Sequence, residues 1–140
     1  MKASYRNLML QNHLSFQKKV YDRLSKDNLN LSIGQPKIFD FLLDCDECMQ
    51  KDIALGCQIE PASVTSVLLQ MEQKGYIVRR NKDGNRRSLY VSLTEEGQET
   101  AKKVREIMEE VEKEALNGIS SEEFETLISI LNRVNENLIK

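Results

Sequence analysis

The chain has 140 residues, a formal net charge of −2, 40% hydrophobic and 30% charged residues. That length fits one ordinary domain with a real core. The apolar runs fall far short of a membrane span, and the start MKASYRNLMLQNHLSF lacks the continuous apolar stretch of a signal peptide. A mainly α cytoplasmic protein with a small β-hairpin is the expectation, with no membrane partner. One His, no Gly-rich phosphate loop and no clustered acid–base motif leave an enzyme little support.

Residues 4–24 read as a long helix. Leu8, Met9, Phe16, Val20 and Leu24 lie on one side, and Leu10, Leu14 and Tyr21 on another. A helix apolar on more than one face packs against more than its own domain. Gln35-Pro36 opens a short helix, with Pro in the first turn where its missing N–H costs little. Ile38, Phe39, Phe41, Leu42 and Leu43 supply core. Residues 49–56 read as a second short helix. Glu60-Pro61 opens a third, which runs to Lys74 and stops at Gly75.

The stretch YIVRRNKDGNRRSLYVSLTEEG follows, from Tyr76 to Gly97. It predicts a hairpin: strands at 76–78 and 88–93 around an Asp83-Gly84 turn. Lys74, Arg79, Arg80, Lys82, Arg86 and Arg87 face a single acid in residues 74–93, Asp83, for a local net charge of +5. Thr94 then caps a long helix, and Glu95 and Glu96 suit its positive end. Val104, Ile107, Met108, Val111 and Ala115 recur along it at helical spacing. After Asn117-Gly118, Ser120 to Glu123 form a capping box. Phe124, Leu127, Ile128, Leu131, Val134 and Leu138 stripe the last helix.

Three short helices and a two-stranded wing make a winged helix-turn-helix, residues 34–93. Residues 1–33 and 94–140 form long terminal helices whose apolar stripes exceed what so small a lobe covers. They predict dimerisation with a second copy. Charge is segregated: residues 1–33 carry +4, 34–93 balance, and 94–126 carry −7. A polyanion such as double-stranded DNA therefore meets a local basic patch, with the acidic helices turned away. On the third short helix, Val64, Val67, Leu68 and Met71 face the core. Ser63, Ser66, Gln70 and Gln73 form a polar stripe with Thr65 beside it. Small hydroxyls and amides approach base edges closely in a major groove. Arg79, Arg86 and Arg87 belong to the basic hairpin, and arginines near a hairpin tip suit a narrow minor groove.

Three segments carry a family resemblance: Ile59-Glu60-Pro61-Ala62-Ser63-Val64-Thr65, Met71 through Arg79, and Asn85-Arg86-Arg87-Ser88 leading to Val91-Ser92-Leu93-Thr94-Glu95-Glu96-Gly97. The last is similar to the wing signature Asp-x-Arg, strand, Leu-Thr-x-x-Gly. The chain resembles the MarR family of bacterial transcriptional regulators over nearly its full length. The resemblance implies a homodimer on an inverted-repeat operator. Recognition helices would enter successive major grooves, and wings the flanking minor grooves. It implies minor-groove entry by Arg87, groove contacts by Ser63 and Thr65, and phosphate contacts by Gln35, Lys37, Gln50 and Lys51. It also implies a repressor modulated by a small aromatic effector, held between the dimerisation helices and the DNA-binding lobe. Tyr5, His13 and Phe16 are the candidate residues there.

The chain departs from the family at Asn85, where Asp is usual, and at Ser66 and Gln70, where many members carry cations. Affinity is then expected from the wing and helix starts, and base readout from hydroxyls and amides. Three Cys in a cytoplasmic chain, Cys45, Cys48 and Cys57, argue against a disulfide framework. Packed structural thiols are the expectation, and oxidant sensing through these three is the alternative. No cofactor or metal is expected.

Overall fold

A computed structural model describes residues 3–82, 84 and 88–140. The elements run α1 (Tyr5–Lys26), α2 (Gln35–Leu43), β1 (Cys48–Met49), α3 (Gln50–Cys57), α4 (Pro61–Gln73), β2 (Ile77–Asn81), β3 (Leu89–Leu93), α5 (Glu95–Ala115) and α6 (Ser121–Leu138). Capping chemistry sets most of these ends. Ser4 accepts from the Asn7 N–H at the start of α1, and prolines occupy the first turns of α2 and α4. Gly75 follows α4 with φ 82°, a left-handed conformation that glycine adopts without steric cost. Ser120 and Glu123 form a complete capping box on α6.

The core lies where α2, α4, the sheet and α5 converge. Phe39, Ile38, Leu42, Ile53, Val64, Leu68, Met71, Val91 and Val104 are fully buried there. Phe39 meets the Tyr76 ring edge-on at a centroid distance of 5.1 Å. From α1, Val20 and Leu24 are buried in it and Phe16 packs against it, all in the C-terminal part of the helix. The opposite end of α1 leaves Tyr5, Leu8, Met9, Leu10 and Leu14 exposed. Helix α6 buries no residue at all, and it makes no substantial contact with any other element of its own chain.

The sheet has three antiparallel strands in the order β1-β3-β2. The hairpin expected from sequence is therefore joined by a third strand. Cys48 pairs with Val91, and Met49 with Tyr90. The pairing places Met49 in a strand rather than at the start of α3, which runs from Gln50 to Cys57. Strand β2 begins at Ile77, one residue later than expected.

The wing root is latched to α5. Thr94 Oγ1 accepts from the Gly97 N–H at 3.0 Å and lies 2.6 Å from the Gly75 carbonyl. The Thr94 N–H donates to the Tyr76 carbonyl at 3.0 Å. That carbonyl sits so close to α5 that a Cβ on Gly97 would lie 1.9 Å from its oxygen. Here Gly serves close backbone approach, since an added methyl would push wing root and helix apart. Lower down, Arg105 of α5 reaches α2. Its Nε and Nη2 donate to Asp40 Oδ1 and the Asp40 carbonyl, both at 2.8 Å, and it holds both Asp44 carboxylate oxygens at 2.7 Å. Gly97→Ala is expected to lower unfolding stability by about 1–3 kcal/mol, the usual cost of overpacking. Urea denaturation checks this, and an unchanged midpoint would contradict the close approach.

Candidate nucleic-acid interface

Helix α4 is amphipathic. Val64, Leu68 and Met71 are buried, and Val67 is half-buried. Ser63, Thr65, Ser66 and Gln70 are all exposed. Two of these polar residues are braced from outside the helix. Gln50 Nε2 donates to Thr65 Oγ1 at 2.8 Å, while that hydroxyl donates to the Pro61 carbonyl at 3.2 Å. Ser32 Oγ donates to Gln70 Oε1 at 3.3 Å. Beside the α4 N-terminus lies a depression of about 490 Å³, whose lining includes Gln50, Lys51, Leu55, Thr65 and Leu89.

The helix-start residues fare unequally. Lys37 and Lys51 are exposed, and Gln50 is half-buried. Gln35 was expected to touch phosphate, but it is fully buried. Both its side-chain polar atoms are buried without a partner among the described residues. A side chain closed off in the first turn of α2 does not reach a phosphate.

The hairpin is less free in charge than its sequence implies. Arg79 Nη2 pairs with Glu72 at 3.1 Å, and its side chain is only 14% exposed. Its cation is engaged inside the lobe, so it is not a free DNA contact. Arg80 Nη2 lies 2.6 Å from Glu47, and Lys82 binds the same carboxylate. Lys82 also stands 4.9 Å from the Tyr90 ring centroid, a cation–π distance. Lys82 and Arg80 together hold the Glu47 carboxyl below its ordinary pKa. Glu47 and Glu72 escaped the sequence reading because charge counted along the hairpin omits acids that the fold delivers from elsewhere. Strand β1 brings Glu47 alongside β3. Asp83, Asn85, Arg86 and Arg87 lie outside the described residues.

A separate cleft of about 230 Å³ lies between α1, α2 and α5. His13 and Phe16 line it, as expected, together with Gln17, Val20, Tyr21, Gly34, Pro36, Lys37 and Met108. Tyr5 does not. It sits 56% exposed at the first turn of α1, two turns from His13.

The thiols are free, with Cys45 half-buried and Cys48 and Cys57 buried. Burial pushes Cys48 up to about 12, helped by its neighbour Cys45, and burial pushes Cys57 up to about 11. Both are thus protonated near neutrality, and the thiolate is the reactive form. Among the described residues no group of three or more His, Cys, Asp or Glu is placed to hold a metal. No described helix is long and apolar enough to cross a membrane.

Residues 31–89 match the family model described as MarR family. The chain belongs to the MarR family. It is 33% identical over 108 residues to an uncharacterised HTH-type transcriptional regulator, YdgJ, of Bacillus subtilis (strain 168). That match covers 77% of this chain and 66%, just under two thirds, of the relative. The fold is similar to that of MepR in the S. aureus MepR–DNA complex, with TM-score 0.87, 22% identity, and 97% of this chain and 99% of that one covered. It is also similar to that of NadR in complex with 4-hydroxyphenylacetate, with TM-score 0.77, 21% identity, and 95% and 93% covered. At these identities the structural likenesses establish the winged-helix fold that this MarR-family chain shares.

The buried thiols give a pH dependence. The unfolded thiols lose their protons near 9.0, the folded ones only near 12 and 11. The stability linked to their burial is therefore complete below pH 9 and is lost as pH rises through the folded values. In urea titrations at pH values from about 8 to about 11, wild type should lose more stability than Cys48→Ala/Cys57→Ala. Parallel losses would contradict the shifts.

Proposed function

We propose that this MarR-family chain is a sequence-specific regulator of transcription. It acts in the cytoplasm as a homodimer on an inverted-repeat operator, as a repressor that a small aromatic effector releases. The observation that carries the reading is α4. Its apolar face is buried in the lobe, and Ser63, Thr65, Ser66 and Gln70 are presented outward in a fold that matches DNA-bound MepR. Lys37, Gln50 and Lys51 would meet phosphates beside it. Arg86 and Arg87 would serve the wing, with Arg87 entering the minor groove. Residues 34–93 form the DNA-binding lobe in this reading.

Residues 1–33 and 94–140 form the dimerisation region. The support is the exposed apolar stripe of α6, including Leu127, Ile128 and Ile130, which no other described element packs against substantially. A two-fold dimer would set the two α4 helices roughly one DNA turn, about 10 base pairs, apart. The cleft at His13 and Phe16, in a fold that matches NadR bound to 4-hydroxyphenylacetate, supports an effector site. Tyr5 lies away from that cleft and is not included. Raised pKa values at Cys48 and Cys57 favour packed thiols over oxidant sensing.

Selection of bound fragments from a random DNA pool tests the reading: a palindromic site is expected. Arg87→Ala and Ser63→Ala/Thr65→Ala should each weaken binding to it by about tenfold. Recovery of unrelated sequences, or full affinity in both variants, would remove the assignment.

Two further outcomes follow from the paired charges and the bare α6 stripe. Glu47→Gln frees Arg80 and Lys82 for phosphates. The slope of log affinity against log salt should then steepen by up to about 0.9 per added contact; an equal slope would show that Glu47 does not restrain them. Leu131→Glu should convert the dimer to a monomer in sedimentation at micromolar concentration, and a persisting dimer would place the interface elsewhere.

A further inference from the structure

We propose that Tyr21 and Ser32 orient the Gln70 side chain on α4, so that these two residues outside the recognition helix set a base preference of the operator. The proposal rests on the reading of α4 as the helix that meets DNA. Tyr21 is on α1, where its half-buried ring forms part of the cleft wall. Its hydroxyl accepts from the Gly34 N–H at 3.2 Å and donates to the Ser32 carbonyl at 3.4 Å. Ser32 in turn donates its own hydroxyl to Gln70 Oε1 at 3.3 Å, across 38 positions of sequence. The loop between α1 and α2 is thus held by Tyr21 on one side and touches α4 on the other. Packing supports the same contact. Gly34 has φ 93°, and a Cβ built on it would lie 3.6 Å from Val67 Cγ2 and 3.8 Å from Ile59 Cδ1. The loop therefore rests directly on α4.

The chemistry of the amide makes this consequential. A glutamine recognises adenine with both ends at once, its oxygen accepting from N6 and its nitrogen donating to N7. With one lone pair of Oε1 accepting from Ser32, the plane of the Gln70 amide is set and its Nε2 protons remain to donate. Held in that plane, the amide favours acceptors, N7 and O6 of guanine or O4 of thymine, over the two-ended adenine contact, which needs the plane to turn. Without the Ser32 hydroxyl the amide is free to turn and engage adenine with both ends. Tyr21 acts one step back, by fixing the loop that carries Ser32. Both are positioning residues and need not touch DNA themselves.

The test is DNA selection with wild type, Gln70→Ala, Ser32→Ala and Tyr21→Phe, each first shown to unfold at the wild-type temperature. Gln70→Ala should erase the preference at one base pair of each half-site, which identifies the pair it contacts. Ser32→Ala should shift the preference at that same pair toward adenine by about tenfold and leave the other pairs alone. Tyr21→Phe, which keeps the ring, should shift it in the same direction by less. Wild-type preference in both Ser32→Ala and Tyr21→Phe, or an even loss across all pairs, would overturn the link. So would a Gln70→Ala selection identical to wild type. If the wild type selects no sequence, the reading of α4 fails and the link falls with it. A wild-type site with unaltered variants rejects the link alone.

Discussion

The fork between Arg105 and the two α2 carboxylates fixes the register of α5 on α2, beside the apolar core of Phe39, Leu42 and Val104 that packs the two helices together. Arg105 presents a planar guanidinium whose donors match both oxygens of Asp44, with Asp40 on its other edge. Asp44 and Asp40 together raise the Arg105 pKa, and Arg105 lowers that of Asp44. The geometry is bidentate and spans 61 residues of sequence, so a lysine would not reproduce it. At the other end of the same lever, Thr94 and Gly97 clasp the wing root. Helix α5 is thereby fastened to the lobe at its first turn and near its middle. In the proposed homodimer, whatever fixed α5 against the second copy would also fix the direction in which α4 points.

Electrostatics inside the lobe reshape what it offers to DNA. Glu47 gathers Arg80 and Lys82, and Glu72 gathers Arg79. These partly buried pairs compete with phosphate for the same cations. Helix α4 itself presents hydroxyls and an amide rather than cations. The described face of α4 is therefore suited to short-range polar readout. Tyr21 lines the cleft and, through the Ser32 carbonyl, holds the loop whose hydroxyl touches Gln70, so the cleft and the polar face of α4 lie within one short loop of each other.

Local chemistry was legible in the residues themselves. Caps at Thr94 and Ser120, prolines at the starts of α2 and α4, and the glycine after α4 each act through their own neighbours, so they mark helix ends without knowledge of the fold. The apolar spacing of α4, α5 and α6 likewise distinguished core faces from the uncovered stripe of α6, and the Leu-Thr-x-x-Gly run has its explanation in the contact of Gly97 with the Tyr76 carbonyl. What escaped is what only the tertiary arrangement decides. Strand β1 has two residues and no periodicity to read. Gln35 is polar, and nothing local marks its burial. Tyr5 lies on the same helix as His13 and Phe16, but helix membership says little about which turns border a cleft. The counter-charges at Glu47 and Glu72 depend on chain segments that meet only on folding.

In the homodimer proposed above, the Arg105 fork would hold the two α4 helices in one fixed relation. Spin labels at Ser66→Cys, in a chain whose three native cysteines are replaced, report the distance between the two α4 helices by electron–electron dipolar spectroscopy. A single narrow distance is expected when Arg105 is present, and a broad distribution in Arg105→Gln. A broad distribution with Arg105 intact, or an equally narrow one without it, would contradict the account.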